Sequence, residues 1–339
     1  MLIERNAGLN SGFSDDDYAN AGASIVDTPK EVYTKSELIV KVKAHQIDEV
    51  EMLRKDQILF SYLHLAAEPK LTNRLMTKGV TSIAYETVQY DDGSLPLLTP
   101  MSEVAGRMSI LVGSDLLSKA KKGSGILLSG VPGVKPAKVT ILGAGVVGIN
   151  AAKMAVGLGA DVTILNKSPG KLKYLEDIYG SRIKTLVLNE YSLAEAVKEA
   201  DLVIGGILIP GGKAPKLIKE YMVKSMKEGS VIVDVAIDQG GCIETITHPT
   251  THDNPTYEKH GVIHYSVANM PGAYARTSTF ALTNVTLPYI LQLAEKGFEE
   301  AMKIDESFAK GVNIFDGKCT CKSLASSLNL EYKSLRDII

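Results

Sequence analysis

A chain of 339 residues, 45% hydrophobic and 22% charged, is long enough for two domains that each bury a core. Its formal net charge of −2, with the signs interspersed, makes no case for nucleic acid or an anionic membrane as partner. Cys242, Cys319 and Cys321 cannot all pair within one chain, nothing after Met1 resembles a secretory leader, and no apolar run approaches the roughly 20 residues of a membrane helix, so a cytoplasmic protein is expected.

In chain order, Leu2 and Ile3 read as a strand entered part-way. Ser14 before Asp15, Asp16 and Asp17 predicts a helix start, with a hydroxyl cap and acids at the positive end of the dipole. Residues 24–26 form a short strand and 29–36 a turn or short helix. Residues 37–43 begin as a buried strand and end with Lys41 and Lys43 on one face, which fits either a working lysine or an edge strand guarded by charge. Residues 57–66 make another apolar strand, with His64 near its C-terminal end. That histidine is either a core residue bonded to a carbonyl or a proton-transfer group, since ligands of α/β sheets collect at the carboxyl ends of strands. A strand over 82–88 and a turn at Asp91-Asp92-Gly93-Ser94 complete a first α/β segment. Residues 102–121 have a helical pattern and lead into the Gly/Pro-rich stretch 123–136.

Residues 138–166 organise the rest of the chain. They read as a buried strand, a Gly143-Ala144-Gly145-Val146-Val147-Gly148 turn, a small-residue helix and a second strand. Gly143 permits the tight turn, Gly145 the close approach of a pyrophosphate, and Gly148 the packing of helix on strand. A dinucleotide would rest on the N–H groups at the start of the helix, near Val147. The second strand should end in an acid that holds the adenosine ribose, but here it ends in Asn166 followed by Lys167. A neutral Asn166 repels a ribose phosphate less than Asp would and Lys167 could attract one, so NAD remains the expected cofactor with acceptance of NADP open.

Further strands are predicted over 183–188, 202–204 and 230–237, with helices near Ser192 and Pro215. Ile207 and Leu208, and Val235, Ala236, Ile237 and Asp238, are expected to meet the nicotinamide. Asp238 reads either as a functional acid or as a turn residue ahead of Gln239-Gly240-Gly241. A last strand over 262–268 leads to Asn269-Met270-Pro271, and a long helix over 277–302, kinked at Pro288, returns the chain to the first segment. The Cys319-Thr320-Cys321 pair lacks a second pair of ligands at zinc-site spacing, so no metal is expected. The predicted fold class is α/β: a Rossmann-type doubly wound parallel sheet over 97–274, and a discontinuous α/β substrate domain over 1–96 and 275–339.

Seven separated stretches then point to one family. Lys41-Val42-Lys43, residues 62–67 (Tyr-Leu-His-Leu-Ala-Ala), Ala84-Tyr85-Glu86-Thr87, residues 100–107 (Pro-Met-Ser-Glu-Val-Ala-Gly-Arg), the glycine loop, Asp238-Gln239-Gly240-Gly241 and residues 267–271 (Val-Ala-Asn-Met-Pro) together resemble the alanine dehydrogenase family. The resemblance covers essentially the whole chain. It implies reversible oxidative deamination of L-alanine to pyruvate and ammonium with NAD, in a homohexamer. Lys43 would hold a substrate oxygen, His64 would donate and accept protons, and Asp238 would stand beside the reacting carbon. Ser102, Lys171 and Asn269 match cofactor contacts of the family.

The chain also departs from the family pattern. Asn166 replaces the usual Asp, Ala44-His45 follows Lys43 where Glu-Pro is common, and His248 stands where an arginine is common. Met1 falls after the strand and helix that carry the family's carboxylate-gripping arginine, so either turnover is impaired or another cation has taken that task. The second class of function is a nucleotide-binding module without this chemistry, such as a transhydrogenase-type NAD(H)-binding subunit or an inactive truncated chain. The co-occurrence of Lys43, His64 and Asp238 weighs against it.

Overall fold

Short apolar strands joined by helices pair in parallel, and both halves of this chain are built that way. The computed structural model describes all 339 residues and divides them into two units. Unit 1 comprises Met1–Met101, Pro210–Lys213 and Tyr274–Ile339, and unit 2 comprises Ser102–Ile209 and Ala214–Ala273. No helix is long and apolar enough to cross a membrane.

The first strands belong to unit 1. Strands β1 (Leu2–Glu4) and β2 (Ser24–Val26) form a two-stranded parallel sheet. Between them lies the helix Asp15–Asn20, whose cap is a full capping box between Ser14 and Asp17. Strands β3 (Leu38–Val40), β4 (Ile58–Ser61) and β5 (Thr81–Ala84) pair in parallel in a second sheet with β3 at its edge. These strands are shorter than the expected 37–43, 57–66 and 82–88. Lys41 and Lys43 lie beyond β3, His64 beyond β4, and Tyr85–Thr87 forms a 3₁₀ turn after β5. Strand ends that carry side chains for a ligand must leave the ladder to present them.

Unit 2 holds a seven-stranded sheet. Its strands are β6 (Lys138–Leu142), β7 (Asp161–Asn166), β8 (Ile183–Val187), β9 (Leu202–Gly205), β10 (Val231–Asp234), β11 (Thr256–Lys259) and β12 (Val262–Tyr265). The order is β11-β12-β10-β9-β6-β7-β8, and only the β11–β12 pair is antiparallel. The order reverses at β6 and β9, the switch point where α/β sheets bind ligands. Two apolar clusters, one around Val139, Ile141, Ile164 and Ile204 and the other around Leu142, Leu165, Val203 and Ile232, cover the two faces.

Several elements differ from the sequence expectation. The helix near Pro215 is the short Glu220–Lys224, and β10 ends at Asp234, so that Asp238 sits in the 3₁₀ turn Ile237–Gln239 and not at the strand end. The hairpin strand β11 and the helix Pro169–Tyr179 are additions. The chain returns to unit 1 through the helix Ala275–Ile304. Its interruption lies at Gly297, with φ 74° and ψ 174°, and not at the expected Pro288. Proline lacks an N–H but keeps a helical φ, whereas only glycine readily takes the Gly297 conformation.

Strands β13 (Val312–Phe315) and β14 (Lys318–Cys319) then add to β5 in antiparallel fashion, giving β14-β13-β5-β4-β3. Residues 210–213, expected inside the nucleotide-binding segment, cluster with unit 1. Gly211 has φ 63° and packs so closely that a Cβ would lie 2.6 Å from Ser323 Oγ and 3.0 Å from Thr87 Cγ2.

Candidate active site

In unit 1 the candidate groups all follow the carboxyl ends of parallel strands. The β3–β4 ladder runs on through Lys41 N–H to Phe60 O (3.3 Å) and Tyr62 N–H to Val42 O (3.1 Å). Lys43 and His64 therefore leave neighbouring strands one and two residues after their last shared bond. Lys43 is half-buried in the bend, while Lys41 is committed to an ion pair with Glu49.

His64 has φ 50°, a left-handed conformation that a non-glycine residue keeps only when its surroundings enforce it. The enforcing group is Glu86, a carboxylate 2% exposed just after β5. Its oxygens accept the backbone N–H of His64 (2.6 Å) and of Leu63 (3.2 Å), holding the turn from beneath. The imidazole stacks on Tyr62, with centroids 6.0 Å apart and planes 5° apart, and Tyr62 is fixed by donating its hydroxyl to Leu97 O. His64 Nδ1 is buried, without a hydrogen-bond partner, 3.8 Å from Glu86 Oε1. Buried His45 likewise has both ring nitrogens without a partner, so the left-handed turn held by Glu86, and not the missing bond, sets His64 apart. Glu86 escaped the sequence reading of roles, because the expected strand over 82–88 placed it inside the ladder, whereas β5 ends at Ala84.

In unit 2 the glycine loop follows β6. Gly143 has φ 105°, and a Cβ on it would come 2.8 Å from Gly206 O; a Cβ on Gly148 would come 1.9 Å from Gly143 O. Both positions admit only hydrogen. Gly145, by contrast, faces open space, with nothing within 4 Å of a Cβ. It caps the helix Val146–Gly157 without any side-chain cap, so the first-turn N–H groups face that space. This is the shape a pyrophosphate requires. Ser102 lies on the helix Thr99–Leu116, which locks against this one: a Cβ on Gly106 would meet Val147 O at 2.4 Å, and Arg107 donates to Asn150 (3.0 Å).

Asn166 ends β7. Its Oδ1 accepts Ala144 N–H (3.2 Å) and its Nδ2 donates to Ser168 O (3.3 Å), so the amide braces the glycine loop. Lys171 lies in the first turn of Pro169–Tyr179. Ile207 and Leu208 follow β9, and Val235, Ala236, Ile237 and Asp238 follow β10. Asp238 accepts the backbone N–H of Asn269 (3.2 Å), and Asn269 itself has φ 56° after β12. Apart from Ser102 on its helix, the cofactor candidates thus follow the carboxyl ends of strands of one sheet. Asp234 and Lys216, which the sequence reading passed over, anchor the turn that carries Asp238.

The profile of the alanine dehydrogenase/PNT N-terminal domain matches residues 1–105, and that of the C-terminal domain matches residues 109–322. The chain belongs to this family. Alanine dehydrogenase of Methanococcus maripaludis is 59% identical over 332 residues, 98% of this chain and 89% of that one. Alanine dehydrogenase of Bacillus subtilis is 57% identical over 341 residues, 99% of this chain and 90% of that one. A solved L-alanine dehydrogenase superposes with a TM-score of 0.87 at 51% identity, covering 97% of this chain and 90% of that one. A transhydrogenase from Sinorhizobium meliloti shares the fold, with a TM-score of 0.73 at 22% identity.

Proposed function

We propose that this chain is an NAD-dependent alanine dehydrogenase that interconverts L-alanine and water with pyruvate and ammonium, acting in the cytoplasm as a homohexamer. The observation that carries the reading is the 59% identity to an alanine dehydrogenase over 98% of the chain, with Lys43 and His64 just past strand ends and Asp238 in the turn that follows β10.

The residues of unit 2 fit a dinucleotide, because the open space before Gly145, the uncapped helix start and the left-handed Gly143 form a phosphate cradle. Gly143, Gly145 and Gly148 shape that cradle, while Ser102, Asn166, Lys171 and Asn269 line the remainder of the nucleotide. Ile207, Leu208 and Val235 to Asp238 border the nicotinamide. Bound NAD supplies the acceptor for the hydride that leaves the alanine Cα.

The chain's own groups do the rest. Lys43 holds the substrate carboxylate, or the carbonyl oxygen of pyruvate, and balances the charge on it. His64, braced by Glu86 and Tyr62, takes a proton from the water that adds to the imine carbon and returns one to the departing ammonia. Asp238 faces the reacting carbon and favours the cationic imine over neutral alternatives. The test is formation of NADH from NAD and L-alanine, and its reversal with pyruvate and ammonium. NADH binding without either turnover would make the chain a nucleotide-binding module. Parallel assays with NADP measure how far Asn166 and Lys167 relax the cofactor choice.

A further inference from the structure

We infer that Lys216 and Asp234 clamp the turn 235–242 and thereby position Asp238, a role that rests on the function proposed above. Asp234 is the last residue of β10 and has no exposed surface. Its Oδ1 accepts Ala236 N–H (3.0 Å) and the Cys242 thiol (3.5 Å). Its Oδ2 accepts the N–H of Cys242 (2.9 Å) and Ile243 (3.3 Å). One carboxylate therefore fastens both ends of the turn.

Lys216 holds the middle. Its ammonium donates to Gly240 O (2.7 Å) and Ile246 O (2.8 Å), and its charge stabilises the Asp234 carboxylate against the penalty of burial. The two groups converge on Gly241, where a Cβ would lie 2.6 Å from Asp234 Oδ2 and 3.3 Å from Lys216 Nζ. Gly240 and Gly241 have φ 90° and 72°, conformations that let the chain reverse around the ammonium. Asp238 sits on the turn so held, with Asn269 N–H on its carboxylate. A reacting group misplaced by about 1 Å costs on the order of 100-fold in rate, so the supporting pair controls turnover without touching substrate.

The experiment uses the full chain. Lys216→Met lowers kcat for alanine oxidation at least tenfold, still binds NADH because the cradle of Gly143 to Gly148 is untouched, and speeds amide exchange in residues 235–246 but not in β6 to β9. Lys216→Arg, which keeps the cation and its donors, recovers most of kcat. Asp234→Asn acts in the same direction, because its amide must turn an NH₂ toward an N–H donor on one side. Parent-like kcat and exchange in Lys216→Met would overturn the clamp and leave the proposed function standing. Exchange that rises throughout unit 2, with NADH binding lost, would also overturn it, by reducing the pair to general stability. The exchange arm needs no turnover, so a parent chain inactive on alanine would refute the function without removing the test of the clamp.

Discussion

Replacing Gly145 with valine tests the phosphate cradle without disturbing the protein that builds it. The residue has φ −88° and ψ −169°, extended backbone that valine adopts readily, and its Cβ meets no heavy atom within 4 Å. Although Gly145 is only half-exposed, the open space around its Cβ keeps the folding cost near that of an ordinary surface substitution, within about 0.5 kcal/mol. The melting temperature accordingly shifts by less than about 2 °C. The isopropyl group instead occupies the space in front of the first-turn N–H groups. Hydrogen bonds to a charged group contribute ~1.5–3 kcal/mol each, so losing two weakens NADH binding at least ~100-fold.

Fluorescence titration of NADH beside a thermal melt reads both quantities. Gly148→Ala is the opposite case, because its Cβ would sit 1.9 Å from Gly143 O, and backbone must move to admit it. That variant loses ~1–3 kcal/mol of stability, as overpacked sites do, and melts earlier. Gly145→Val binding NADH within threefold of the parent would put the dinucleotide elsewhere. A melt as early as that of Gly148→Ala would refute the open space itself.

Three further outcomes are expected. His64→Ala lowers kcat about 10²–10⁴-fold with NADH affinity nearly unchanged, measured by steady-state rates and titration; a parent-like rate would return His64 to the core. Asn166→Asp keeps the acceptor for Ala144 N–H, frees a second oxygen for the ribose and repels a 2′-phosphate, so the ratio of kcat/KM for NAD over NADP rises at least about tenfold. An unchanged ratio would mean that residue 166 does not reach the ribose. Stability falls as pH drops from about 6.5 toward 4, because burial pushes His45 and His264 down to about 4, and the unfolded chain then binds protons that the folded one refuses. Each histidine contributes a loss of about 2 kcal/mol between pH 7 and pH 5. Denaturant melts at the two pH values should show a smaller drop for His45→Phe, whose ring nitrogens have no hydrogen-bond partner to lose; an equal drop would exclude His45 as a contributor.

The sequence by itself determined the parts of this protein that depend on local chemistry. The β-branched run before Gly143 and the spacing of Gly143, Gly145 and Gly148 specify strand, turn and helix, since each glycine answers a steric demand within a few residues. Ser14 with Asp17 specified a helix start for the same reason. Lys43 and His64 could be singled out because apolar strands ended beside them. Tertiary structure alone decided what holds these groups in place. Glu86 is 22 residues from His64, and the two meet because β4 and β5 are paired. Lys216 reaches Gly240 and Ile246 across 24 and 30 residues, from a stretch with no periodicity of its own. The strands 37–43, 57–66 and 230–237 read too long because apolar sequence continues past the last ladder bond, and only pairing with neighbours says where a ladder stops. Likewise Gly297 and not Pro288 breaks the last helix: the exposed glycine takes φ 74°, while Pro288 stays within a helical run.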